Sequence, residues 1–246
     1  MTLLIFILGL VVGSFLNVVI IRLETKESIL LARSHCPKCK KTLKWYHLVP
    51  VFSFLIQKGK CAYCHKKISW QYPILEISTG LLFLIIIIFN LNLFFYLIIT
   101  CFLIIIFAYD LKHYIIPDKI IYPAIVIVFI FNLITNYQLP VTSYWLLSAF
   151  LASGFFLFLV LISRGKWMGM GDVKLAFFMG LVLGWPNILL ALFLSFILGA
   201  VIGVALIILK IKKLKSQVPF GPFLVASTFI AMLFGEQIIN WYIGLF

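Results

Sequence analysis

Long apolar runs alternate along the chain with short polar segments, and most of the runs are as long as a membrane-crossing helix. Crossing a hydrocarbon layer of about 30 Å takes roughly 20 helical residues, most of them apolar. Eight stretches approach that pattern: 2–21, 74–89, 93–109, 120–135, 144–163, 173–183, 188–209 and 223–243. The sixth is the shortest. The pattern predicts an all-α polytopic membrane protein of about eight transmembrane helices, with one long polar segment, about 22–73, between the first two. The first run carries small residues at Gly9, Gly13 and Ser14, but its positive charge follows it instead of preceding it. It is expected to be a first anchor and not a secretory leader.

Composition narrows the class. Hydrophobic residues make up 64% of the chain and charged residues 11%, against roughly 45–50% and about 25% in soluble domains. An ordinary soluble globule is excluded. Twenty Lys and Arg against seven Asp and Glu give a formal charge of +13, which on a soluble fold would suggest nucleic acid. Their placement argues against a nucleic-acid partner. Eleven lie in 22–73, and the rest are Lys112, Lys119, Arg164, Lys166, Lys174, Lys210, Lys212, Lys213 and Lys215, all on the same side of the eight spans. The loops on the other side, 90–92, 136–143 and 184–187, carry no charge. The positive-inside bias then makes the basic side cytoplasmic and puts both termini outside. Most of these lysines read as topology determinants and as anchors to membrane lipids.

The polar segment contains Cys36-Pro-Lys-Cys39 and Cys61-Ala-Tyr-Cys64. Two Cys-x-x-Cys turns can aim four thiolates at one point, the tetrahedral set Zn²⁺ prefers, and a reducing cytoplasmic side favours metal over disulfides. A structural zinc is expected on Cys36, Cys39, Cys61 and Cys64, in a small zinc-ribbon-like loop domain. Four sulfurs leave no open coordination position for hydrolysis. A pair of reduced thiols or a redox switch is the alternative, and His35, His47 or His65 could replace one sulfur. Cys101, in an apolar span, is assigned no role.

Carboxylates are costly in spans, by about 2.5–3.5 kcal/mol at a helix centre, and those found there usually act. Glu24, Glu27 and Asp118 fall in polar loops, while Glu76 and Glu236 lie near span ends. Asp110 closes the third span, which runs inward, and Asp172 opens the sixth, which runs outward, so both lie at one depth. Two carboxylates brought close share a proton, and one can then withdraw a proton from water while the other hydrogen-bonds a peptide carbonyl. That is aspartic-protease chemistry. Asp172 ends Gly169-Met170-Gly171-Asp172; the glycines can free the backbone for positive φ and close approach of substrate, or simply pack helices. Asp118, after Ile116-Pro117, is the alternative partner. A transporter using intramembrane carboxylates is the rival function, and a membrane-held zinc adaptor a second; neither accounts for two acids at one depth.

Taken together these residues resemble the type IV prepilin peptidases, membrane aspartic proteases with a Gly-x-Gly-Asp motif. The match runs from Gly13-Ser14-Phe15-Leu16-Asn17-Val18 and Arg22-Leu23 through the cysteine pairs, Gly59-Lys60-Cys61, Tyr72-Pro73 with Glu76, Asp110 with Ile116-Pro117-Asp118, and Gly169 to Lys174, to Pro219-Phe220-Gly221-Pro222. The resemblance implies that Asp110 and Asp172 are catalytic, with Gly169 and Gly171 in support, and that the four cysteines bind zinc. It implies prepilin and pseudopilin substrates, whose short basic leaders are removed at the cytoplasmic face of the bacterial inner membrane. It also implies methylation of the new N-terminus with S-adenosylmethionine, for which the chain shows no glycine-rich nucleotide loop. The domain organisation expected from it is 1–91, two helices with the four-cysteine loop and an association with methyl transfer, followed by 92–246, the aspartic peptidase.

Overall fold

The computed structural model describes residues 2–25, 27–28, 34–89, 93–135, 142–211 and 217–245. The uncharged loops at 90–92 and most of 136–143, with Lys212, Lys213 and Lys215, lie outside them. The described chain is helical: α1 (Thr2–Thr25), α2 (Phe52–Ile56), α3 (Gln71–Ile88), α4 (Leu93–His113), α5 (Asp118–Thr135), α6 (Thr142–Ser163), α7 (Met170–Leu183), α8 (Asn187–Ile208) and α9 (Gly221–Ile243). Among the described residues β-structure is limited to two isolated bridges, His35 with Thr42 and Lys60 with Lys67. Among the described residues seven helices are long and apolar enough to cross a membrane, all but α2 and α7. The protein is an all-α polytopic membrane protein with a cysteine-rich loop. Its chain divides into two compact units, Met1–Ile105 and Ile106–Phe246, with α4 running across the boundary.

In the first unit α1 lies against α3. Gly9 and Gly13, four residues apart, share one face of α1, and a Cβ at either would stand 2.7 Å from the Gly80 Cα or 2.8 Å from the Glu76 Cα. The two backbones meet where side chains are absent, as small residues commonly permit in membranes. These are the small residues that gave the first run its leader-like look.

The second unit is built around α7, which packs against α5, α6, α8 and α9. At 14 residues it is about 21 Å long, shorter than the hydrocarbon layer. Gly169 at its start and Gly184, at φ +63°, set its limits. Leu175, Ala176, Phe178, Met179 and Leu181 are buried, so the sixth apolar run is apolar because it is a central helix. Gly180 makes the tightest approach: a Cβ there would overlap the Ala149 backbone of α6. Asn132 of α5 donates to the Leu181 carbonyl at 2.8 Å, a polar tie between buried helices.

Several helix limits differ from the apolar runs because apolarity and helicity end at different points. α4 continues to His113, so Asp110 lies inside its last turn and does not close it. Asp118, expected in a loop, is the first residue of α5.

Candidate active site

Asp110 and Asp172 stand 62 positions apart in sequence and both lie in the second unit, Asp110 near the end of α4 and Asp172 in the first turn of α7. Asp110 is only 4% exposed. Its carboxylate accepts the backbone N–H of Gly221 at the start of α9, and a Cβ at Gly221 would overlap Asp110 Oδ2. Only glycine leaves room for that approach. Asp172 is half-buried in the first turn of α7. It accepts the Gly169 N–H on Oδ2 at 3.1 Å, and its own N–H donates to the Gly169 carbonyl at 3.1 Å. This reciprocal pair caps the helix and holds the carboxylate at its positive end.

Of the two expectations for these glycines, positive φ is not met. Gly169 takes φ −88° and ψ 160°, extended backbone open to any residue, and Gly171 is helical. Neither adopts positive φ. What Gly171 supplies is a missing side chain: a Cβ there would stand 3.1 Å from the Ile116 Cβ. The short link between α4 and α5 thereby packs on the Asp172 turn.

Asp118 accepts from Lys174 Nζ at 2.6 Å, and the same ammonium lies 4.9 Å from the Tyr122 ring centroid. Lys174, expected to be a topology lysine, ties the first turns of α5 and α7 together close to Asp172 in the chain. Asp118 is thus engaged by a cation, unlike Asp110, whose carboxylate is held by a backbone N–H. His113, expected as a solvated loop residue, ends α4 with its ring 4.5 Å from that of Tyr109.

The first unit holds the other candidate site. The sulfurs of Cys36, Cys39, Cys61 and Cys64 all lie within 4.8 Å of one another, and those of Cys36 and Cys64 are 3.9 Å apart. Tetrahedral zinc with bonds of about 2.3 Å spaces its sulfurs by about 3.8 Å, so the set fits the ion. Two local turns of one design produce it. Cys36 N–H donates to Lys41 O and Lys40 N–H to Cys36 O; twenty-five residues on, Cys61 N–H donates to Lys66 O and His65 N–H to Cys61 O, at 2.8–3.0 Å throughout. Lys40 and His65 take the matching positive φ, 55° and 54°. His35, His47 and His65 are not among the clustered ligands. The Cys64 backbone N–H is the main influence drawing the Cys61 thiol down to about 7, against burial. Cys64 goes the other way, to about 11: the Lys66 N–H lowers it, but burial and the Cys61, Cys39 and Cys36 sulfurs outweigh that. A bound cation would let all four sulfurs ionise at this separation.

Glu76, near a span end in the sequence, is buried in α3. It accepts the Val51 N–H at 2.8 Å and the Ser14 hydroxyl. Val51 has φ 62° and ψ −53°, and Phe52 N–H donates back to Pro50 O at 2.6 Å, a γ-turn costly for a β-branched residue. Glu76 thus anchors the loop to α1 and α3 at a strained point.

Comparison with known proteins bears on both sites at once. The bacterial Peptidase A24 N-terminal domain matches residues 7–89, and the Type IV leader peptidase family matches residues 97–204. A prepilin leader peptidase/N-methyltransferase of Legionella pneumophila is 34% identical, over 96% of this chain and 92% of that protein. One of Bacillus subtilis (strain 168) is 35% identical over 97% and 96%. The chain belongs to the type IV leader peptidase family. A third relative of the same name, from Aeromonas salmonicida (strain A449), is 30% identical over 98% of this chain and 93% of its own. No solved structure matches the chain.

For a member of the leader peptidase family, three contacts lay beyond reasoning from residue types. The Gly221 N–H on Asp110 has a trace in Pro219-Phe220-Gly221-Pro222, but nothing in the spacing joins that run to Asp110. The Asp118–Lys174 pair spans 56 positions and joins two unremarkable charges. The Glu76 contact was signalled only by an acid in an apolar helix.

Proposed function

We propose that Asp110 and Asp172 are the catalytic dyad of an aspartic endopeptidase that removes the short basic leader from prepilins and pilin-like proteins. Cleavage takes place at the cytoplasmic face of the bacterial inner membrane. What supports the reading is that a buried Asp110 is held by the Gly221 N–H at the start of α9, while Asp172, held by the Gly169 N–H, lies in the first turn of α7, the helix on which α9 packs. One ionised carboxylate takes a proton from water as the oxygen attacks the scissile carbonyl carbon. The protonated partner donates a hydrogen bond to the carbonyl oxygen and stabilises its developing charge. Collapse of the tetrahedral intermediate returns a proton to the leaving amine. The names of the relatives also support N-methylation of that new N-terminus. S-adenosylmethionine, carried over by resemblance, would supply the methyl group, and it is assigned no residues. Zinc on Cys36, Cys39, Cys61 and Cys64 would cross-link the loop and take no part in bond cleavage, because four thiolates fill its coordination.

The test is cleavage of a leader-bearing prepilin by reconstituted protein carrying Asp110→Asn or Asp172→Asn. Each alone is expected to abolish cutting while zinc content stays that of the parent. Near-normal turnover by either variant would remove the dyad.

A further inference from the structure

Residues 34–70 contain eight lysines, all exposed, and no Asp or Glu. The same stretch turns an apolar face outward. In α2, Phe54 is buried and its ring closes over Gly59. Phe52, Leu55 and Ile56, at positions i, i+3 and i+4, share another face and are 62%, 62% and 80% exposed. Trp45, in the turn packed on α2, is also exposed, as is Trp70, whose ring centroid lies 5.0 Å from that of Phe54. Neither the cysteine cluster nor the aspartate pair uses these residues.

We infer that α2, with Trp45 and Trp70, is a wedge that inserts into the headgroup layer of an anionic membrane leaflet, with the surrounding lysines on lipid phosphates. Two observations choose this occupant. Trp70 directly precedes α3, a helix apolar enough to cross a membrane, so Trp70 stands where the chain leaves the hydrocarbon, the level at which Trp is enriched. The Phe54 ring ties α2 to that level. The charge is the second: apart from Glu27, which precedes it and lies 3.8 Å from His35, the stretch offers lysines to anionic lipid, and aromatic and aliphatic groups beside lysines are the composition of segments that lie in the interface. A water-facing loop would gain nothing from exposing such a face.

The full chain tests this in nanodiscs, with a benzophenone amino acid in place of Ile56 or, as control, of exposed Lys40. In discs containing phosphatidylglycerol, irradiation should give at least about fivefold more phospholipid adduct at position 56 than at position 40, since only the wedge reaches acyl chains. In discs of phosphatidylcholine alone the adduct should fall by about threefold or more. Equal adducts at the two positions, equal yields in the two lipids, or capture at position 56 of this chain's other segments or of an added pilin-like protein would each overturn the inference. Should the Ile56 variant lose its zinc, the same comparison at Leu55 reads the same face.

Discussion

The two candidate sites are assembled in opposite ways. In the loop, each half of the cysteine cluster is made by a turn of a few residues, closed by its own backbone hydrogen bonds and repeated twenty-five residues later. Of the aspartates only Asp172 has a local device, its reciprocal pair with Gly169; Asp110 takes its backbone partner from Gly221, 111 positions away. Asp110 is seated by Gly221 at the start of α9, which leaves room for its carboxylate, and α9 packs on α7, the helix that carries Asp172. A metal can complete the first site, since ligand binding is itself folding energy there. The second depends on helix packing to seat Asp110, and such packing tolerates little displacement.

That contrast orders the expected effects. Asp110→Asn or Asp172→Asn should lower prepilin cleavage by roughly 10³-fold or more, as loss of a member of a catalytic unit does, with metal analysis still giving one zinc per chain. Gly221→Ala places a methyl group on the Asp110 carboxylate and should cost about a hundredfold in cleavage rate, the scale of an ångström's misplacement. Zinc and the far-ultraviolet helix signal should not change. A variant with parental activity would show that Gly221 does not seat Asp110. If the proposed zinc holds the loop, Cys61→Ser or a strong chelator should release it and raise tryptic cleavage between Lys38 and Lys67 by about tenfold or more, as folding coupled to a bound ion requires. Unaltered proteolysis would mean that the turns close without metal. The smallest effect belongs to Lys174→Ala. Its pair with partly exposed Asp118 is worth about 0.2–1 kcal/mol, so thermal stability should drop slightly and activity by a few-fold. The double exchange Asp118→Lys with Lys174→Asp should restore part of it, and a loss as large as that of Asp172→Asn would place Lys174 in the chemistry.

The fold class was legible because apolar runs of membrane length cannot all be buried inside a soluble fold of this size. The spacing of the cysteine pairs pointed to one ion because Cys-x-x-Cys geometry is local. Helix ends were less legible. The apolar run of α4 stops before the helix does, as polar residues such as Asp110 and Lys112 continue the backbone bonding. Of the two readings offered for Gly171, positive φ does not hold and close packing does: its missing side chain makes room for Ile116. α7 shows the limit most clearly. Its composition matches a lipid-facing span, and only its length and its four helical neighbours reveal a central helix.

By itself, then, the sequence determined what is set by nearest neighbours and by solvent: which segments are apolar, where charge gathers, and which cysteines can turn toward one ion. The tertiary structure alone decided which carboxylate accepts the Gly221 N–H, that Lys174 pairs with Asp118, and that Glu76 holds the Val51 turn. Such contacts join residues 25 or more positions apart. Their formation depends on how closely helix backbones approach, and that is fixed by the fit of many side chains at once.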